Sequence, residues 1–265
     1  MTDRSVSITT DARGVATVQL NRPAKHNAFD DEVIAELDVA FGAIAAQQDL
    51  RAVVLASTGK SFSAGADLAW MQRMANYSHE ENLQDARALA EMLRKLKNLP
   101  QPTLARVQGA SYGGGVGLVS CCDLAIGTPH ASFCLSEVKI GLLPATIAPY
   151  VIAAIGQRAT LRYSVTAEVM SATTALELGL LSSVVAVDAL DAAVAAMLDT
   201  LLANGPAAMQ ATKLLMNALA GRAVDADLIE TTCKAIADIR VSPEGQDGLQ
   251  AFLNKQTPHW RQDRV

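Results

Sequence analysis

The chain has 265 residues, half of them hydrophobic and 18% charged, with a formal net charge of −5. That composition supplies the core of one large domain, argues against long disorder, and leaves no basic face for nucleic acid. No apolar run is long enough to span a membrane and the polar start "MTDRSVSITTD" lacks a signal-peptide core, so a soluble cytoplasmic protein is expected.

The runs "SVSITTD" and "GVATVQL", separated by Ala12, Arg13 and Gly14, alternate as the two strands of a hairpin do. After the polar loop "NRPAKHNAF", Asp30 is placed to cap a helix on which Val33, Leu37, Phe41 and Ile44 recur at helical spacing. "RAVVLAS" reads as a buried strand, "TGKSFSAG" as a loop, and a helix is expected to begin at Ala66. A further helix is expected from about Glu80 to Asn98, stopped by Pro100. "TLARVQG" is a strand that runs into the glycine cluster "GASYGGG", then a short apolar helix "VGLVSCC" and a strand "DLAIGT". Strands alternating with helices give an α/β class. From about residue 188 the chain reads as consecutive apolar helices with short loops, which suits an oligomer interface. The expected division is therefore a core over residues 1–187 and a helical region over 188–265. Cys121, Cys122, Cys134 and Cys233 form no C-x-x-C pair, so all four are expected to be buried free thiols, with no metal site.

Gly109-Ala110-Ser111-Tyr112-Gly113 fits G-x-S-x-G, the turn that exposes the nucleophile of many serine hydrolases. The triad that must follow is missing. Only His130 and His259 come after Ser111, one too soon and one in the C-terminal tail, and no H-G-G-G donor loop precedes it. Ser111 reads instead as a small residue in a tight turn. The glycines have another use. "TGKSFSAGADL" and "GASYGGGVGL" are both strand-to-helix turns built from small residues, with Ala66 in the first and Gly114 in the second. The first N–H groups of a helix lack internal partners, and two of them converging on one oxygen make an oxyanion hole. Close helix–strand packing with no ligand explains the same glycines equally well.

"SFSAGADL", then "VQGASYGGGVGLVSCCDLAI" and "FCLSEVKIGLLP", preceded by "VQLNRPAKHNAF" and followed by "TALELGLLSSVV", resembles the enoyl-CoA hydratase/isomerase (crotonase) superfamily over nearly the whole chain. The resemblance implies a spiral of ββα repeats with a helical C-terminal trimerisation region, assembled as a homotrimer or dimer of trimers. It implies an acyl-CoA thioester as ligand, with coenzyme A as part of the substrate and no separate cofactor. The thioester oxygen would lie between the N–H groups of Ala66 and Gly114, and Glu137 would match the family's acid/base. Lys25, Ala28, Ala64, Ala66, Asp67 and Leu68 match its CoA-binding loops. Phe252 and Lys255 match residues supplied to CoA from a neighbouring region.

Hydratases of the family carry a second glutamate where this chain has Gly117. A single carboxylate suits a 3,2-enoyl isomerase, or a CoA-binding scaffold without chemistry. "FSAGADLAWMQRMA" with "SEVKIGLLPATIAPYVI" is similar to the bacterial methylglutaconyl-CoA hydratase group and its isohexenylglutaconyl relatives, which implies a branched, carboxylated acyl chain. On that reading Gly117 leaves room for a 3-substituent and Arg73 is a candidate partner for the distal carboxylate. His79 and His130 are expected at the surface.

Overall fold

A computed structural model describes residues 4–262. The predicted hairpin is present: β1 (Val6–Thr10) and β2 (Val15–Leu20) pair antiparallel. β3 (Ala52–Ser57), β4 (Thr103–Val107), β6 (Leu124–Gly127) and β9 (Ser183–Val184) extend that sheet in parallel, in the order β1-β2-β3-β4-β6-β9. A second sheet runs alongside. β5 (Ala110–Tyr112) is parallel to β7 (Ser132–Cys134), and β8 (Met170–Ser171) is antiparallel to β7. In the turns β4-β5-α4 and β6-β7-α5 the chain gives one strand to each sheet and then a helix, as the expected ββα spiral does, whereas β1 and β2 both lie in the main sheet and β3 is followed by a loop that bridges Ser63 to Ser111.

The helices inside that spiral are α1 (Asp31–Ala45), α2 (Leu68–Met74), α3 (His79–Lys97), α4 (Gly114–Cys121), α5 (Ala148–Thr166) and α6 (Ala172–Glu177). Asp30 caps α1 by accepting from Val33 N at 3.1 Å, and Val33, Leu37, Phe41 and Ile44 are buried as their spacing requires. α3 starts with a reciprocal capping box between Ser78 and Glu81. Phe29, Phe41, Phe62 and Phe133 are fully buried between helices and sheets. Each contributes roughly 1.5–3 kcal/mol by leaving water.

One boundary differs from expectation. The helix after the "SFSAG" loop begins at Leu68, not Ala66, because the Asp67 carboxylate caps it, accepting from Ala69 N at 2.9 Å and Trp70 N at 3.3 Å. Ala66 stays extended and forms a parallel bridge with Phe29.

Past residue 187 come α7 (Leu190–Leu202), α8 (Pro206–Leu219), α9 (Ala226–Val241), α10 (Pro243–Leu253) and the short α11 (His259–Gln262). α7 packs on the main sheet, where Leu190, Val194, Leu198 and Leu202 join Val15, Val54, Leu104 and Ile126 in a second core layer. The helices α8–α10 bury little. α8 has no buried residue, and Leu214, Met216, Ile229, Ile236, Val241, Phe252 and Leu253 stand exposed. Among the cysteines, Cys121, Cys122 and Cys134 are buried free thiols, but Cys233 is exposed on α9, against expectation. Its helix covers no core that would hide it.

Candidate active site

Two loops meet beside the small sheet. Ser63 N donates to Ala110 O at 3.1 Å and Tyr112 N donates to Ser63 O at 2.9 Å, so the "SFSAG" loop lies along β5 like an extra strand. On its other side, Phe29 N donates to Gly65 O at 2.9 Å and Asp67 N donates to Phe29 O at 3.0 Å. In such a parallel bridge the residue between the two bonds turns its own N–H the other way. That residue is Ala66. Gly114 opens α4 as its first residue, where the N–H has no intrahelical acceptor. Among the described residues neither the Ala66 N–H nor the Gly114 N–H has a partner, and both residues line one cleft of about 560 Å³.

The glycines are required here by close contact. A Cβ on Gly114 would lie 2.2 Å from Phe29 Cζ. Gly113 has φ +50°, and a Cβ there would lie 3.1 Å from Glu137 Oε1. Glu137 therefore reaches the start of α4 from the opposite side, on the single 3-10 turn Glu137–Ile140. Its Oε2 is buried without a hydrogen-bond partner among the described residues. Burial raises the Glu137 carboxyl above the ordinary glutamate range. Two free N–H donors and a carboxyl group poised to hold a proton face the same space. Such a set stabilises negative charge on an oxygen and moves a proton at a nearby carbon.

The CoA-loop residues divide into two groups. Ala64, Ala66 and Leu68 line the cleft. Lys25, Ala28 and Asp67 do not; they brace the loop from behind. Asp67 is buried, takes Lys25 Nζ at 2.8 Å and has Arg22 Nη2 at 3.8 Å, while Arg22 Nη1 binds Asp30 at 2.8 Å. The Lys25 hydrogen bond is the main reason the Asp67 carboxyl lies below its usual range. The Lys25 ammonium and the Asp67 carboxylate are thus committed to each other. Phe252 and Lys255 sit at the end of α10, where Phe252 is 81% exposed, and they take no part in lining this chain's cleft.

Two expectations are corrected by geometry. Gly117 leaves no vacant room: a Cβ there would lie 2.3 Å from Ile147 Cγ2 and 3.0 Å from Ile147 Cβ, so Ile147 fills the space. Arg73 does not face the cleft. Its guanidinium pairs with Asp31 of α1 and is half-exposed. Ser111 is fully buried in β5, and among the described residues its Oγ has no partner and so no base within reach, which rules out a nucleophilic serine there. His130 is exposed, and His259 is hydrogen-bonded to Asp247 at 2.7 Å.

Sequence reasoning missed most of the rest of the cleft's lining. Trp70, Met71, Met74, Asn82, Asp85 and Leu89 line it from α2 and α3, facing Lys139, Leu142, Leu143 and Ile147. The spacing of Asn82, Asp85, Ala86 and Leu89 on one face of α3 was readable, but nothing local says that this face meets a cleft.

The enoyl-CoA hydratase/isomerase family model matches residues 10–263. A Thermus thermophilus protein that carries an enoyl-CoA hydratase name is 32% identical over 246 residues, covering 93% of this chain and 97% of that protein. Among solved structures, an enoyl-CoA hydratase from Shewanella pealeana superposes with a TM-score of 0.94 at 45% identity, over 97% of this chain and 96% of its own. A Legionella pneumophila protein of the enoyl-CoA hydratase/isomerase (crotonase) type gives 0.92 at 42% identity, over 98% of this chain and 100% of its own.

Proposed function

The chain belongs to the enoyl-CoA hydratase/isomerase family, and from that premise we propose that it adds water to a 2,3-unsaturated acyl-CoA whose chain is 3-branched and glutaconyl-like. The observation that carries this reading is the convergence of the unpartnered Ala66 and Gly114 N–H groups with the buried Glu137 carboxyl in one cleft. Water oxygen bonds to C3 of the enoyl thioester, and the C2=C3 electron pair moves to the thioester oxygen as an enolate. The two N–H donors stabilise that charge; losing one such donor costs about 10²–10³ in rate. Glu137 takes a proton from that water as its oxygen bonds to C3 and returns a proton to C2 as the enolate collapses, so the water's two hydrogens end on the new hydroxyl and on C2. Coenzyme A enters as part of the substrate. The glutaconyl-type chain rests on the resemblance of the α2 and Glu137 segments, no longer on space at Gly117.

A second reading is favoured by one observation. Ile147 stands beside Gly117 where a second carboxylate would be, which leaves Glu137 to work alone there and suits proton transfer between two carbons in a 3,2-enoyl isomerase. An acyl-CoA panel assayed for both water addition and double-bond migration separates the two. Hydration of branched esters supports the first reading. Efficient migration with no water added to any branched ester establishes the second.

We also propose a homotrimer or a pair of trimers, assembled through α8–α10, in a cytoplasmic setting. The exposed apolar side chains on those helices support assembly. Phe252 and Lys255 would then reach the CoA of a neighbouring copy.

A further inference from the structure

Among the described residues that line the cleft, Lys139 is the only cation. The other cations around the loop that carries Ala66 are committed elsewhere: Lys25 to Asp67 at 2.8 Å, Arg22 to Asp30 at 2.8 Å, and Arg73 to Asp31. The Lys139 ammonium is exposed and has no hydrogen bond or ion pair to any described residue. It stands on the 3-10 turn Glu137–Ile140, and its side chain and that of Glu137 both line the cleft. Ile140, Leu142 and Leu143, which follow it, are exposed apolar residues that line the same space. A lysine stem lies along such side chains while its charged head reaches past them.

The part of the cleft built by α2 and α3 has the reverse character. Asp85 accepts there from Trp70 Nε1 at 3.2 Å, and Asp31, Asp38 and Glu91 share a groove with it. Asn82 spends both of its amide hydrogens on Tyr77 O and Ser78 O at 3.1 Å, so it offers an acceptor. Neither side chain can take a carboxylate, and Asp85 repels one. Glu137 adds a second carboxyl group to the lining. An anion that enters this cleft therefore meets one side-chain cation among the described residues, Lys139.

We propose that Lys139 reads the far end of the acyl chain by pairing its ammonium with a terminal carboxylate of the substrate. This rests on the glutaconyl-type reading above and makes Lys139 its specificity-determining residue. In a glutaconyl chain the terminal carboxyl carbon is bonded to C4, so it stands two bonds from C3, the carbon that takes the water. A group that reads it must lie close to the residue that works at C3, and Lys139 shares a single 3-10 turn with Glu137. The pairing also offsets the repulsion between the substrate's charge and the carboxyl groups of Glu137 and Asp85. A chain that ends in a methyl group gains nothing from it. The rival anion is a phosphate of CoA, which lysine also binds as a point charge.

The test compares kcat/KM for 3-methylglutaconyl-CoA and for 3-methylcrotonyl-CoA, which lacks the terminal carboxylate, in the wild type, Lys139→Met and Lys139→Arg. The wild type should prefer the carboxylated ester. The preference should shrink as salt rises from about 0.1 to 1 M, over which the screening length falls from about 10 to 3 Å. Lys139→Met should lower the ratio of the two values by on the order of 10-fold, between the worth of an exposed ion pair and that of a hydrogen bond to a charged group. Lys139→Arg, which keeps the charge, should retain most of the ratio. A ratio unchanged in Lys139→Met overturns the role of Lys139. An equal loss with both esters overturns it as well; if that loss vanishes with the matching N-acetylcysteamine thioesters, the ammonium serves a CoA phosphate instead. A wild type that never prefers the carboxylated ester overturns the substrate reading itself.

Discussion

Gly117→Ala should destabilise the protein, although a glycine inside a helix ordinarily gains from that change. Gly117 lies within α4, where replacing glycine by alanine is worth roughly 0.5–1 kcal/mol. Against this, the new methyl carbon would lie 2.3 Å from Ile147 Cγ2 and 3.0 Å from Ile147 Cβ. Ordinary carbon contacts lie at about 3.5–4.0 Å. The closer carbon must retreat by well over 1 Å, and turning Ile147 about its own Cα–Cβ bond does not clear the second contact. Ile147 is 2% exposed, so it has little space to enter. Overpacking of this kind costs about 1–3 kcal/mol, and the two near contacts put this site in the upper half of that range, which leaves a net loss of roughly 1–2.5 kcal/mol after the helix gain, or about 2–10 °C in melting temperature for a chain this size. The assay is a double-mutant cycle by urea or thermal unfolding with Ile147→Ala, which alone should cost about 2–5 kcal/mol through the cavity it opens. The double variant should be more stable than the two losses predict, since the added methyl refills the hole. A Gly117→Ala protein that melts above the wild type, with additive energies in the cycle, would show that the position is open after all.

Glu137→Gln should lower turnover by about 10²–10⁴-fold while CoA-ester affinity persists, measured by steady-state rates and calorimetry. The same variant should be more stable at neutral pH. A carboxyl whose folded pKa is raised leaves stability intact below its unfolded value and erodes it as pH rises toward the folded one, so removing the ionisable group removes that erosion; a melting temperature below wild type at pH 8 but not at pH 4 contradicts this. Ser111→Ala should keep most activity, and stoichiometric labelling of Ser111 by a fluorophosphonate would refute its burial. Cys121, Cys122 and Cys134 should resist a thiol reagent in the native protein and react after unfolding; burial pushes the Cys122 thiol up to about 12. Light scattering at micromolar concentration should give a mass that is a multiple of three chains, and a monomer would refute assembly through α8–α10.

What was legible in the sequence follows from range. The hairpin, the Asp30 cap and the Val33–Ile44 stripe depend on residues within a few positions of one another, and they formed as read. The small-residue turns were legible too, since Ala66 and Gly114 are each flanked by a strand and a helix. The start of α2 was missed by two residues because Gly65 and Asp67, on either side of Ala66, bond to Phe29, which lies 37 positions before Ala66 in the chain. What fills the space at Gly117 could not be read at all. Ile147 arrives from 30 positions downstream, and a glycine in a sequence looks the same whether its neighbour is a void or an isoleucine. Trp70 and Asp85 have the same character: an indole and a carboxyl 15 residues apart, on two helices whose angle no local pattern sets.

That difference in range bears on the chemistry. The two free N–H groups and the Glu137 carboxyl are each fixed by their own loop, so they were recognisable one at a time. The wall made by α2, α3 and Ile147 is built from contacts between elements. At Gly117 those contacts are apolar, which removes the simplest place for a second carboxyl group. At Asp85 they are polar, and they leave one oxygen free in the cleft. A second carboxyl group, Asp85, therefore lines the same cleft as Glu137. On the proposed reading turnover needs only Glu137 and the two donors, so Asp85→Asn should cost far less rate than the roughly 10²–10⁴-fold expected for Glu137→Gln, and an equal loss in steady-state turnover would contradict that reading.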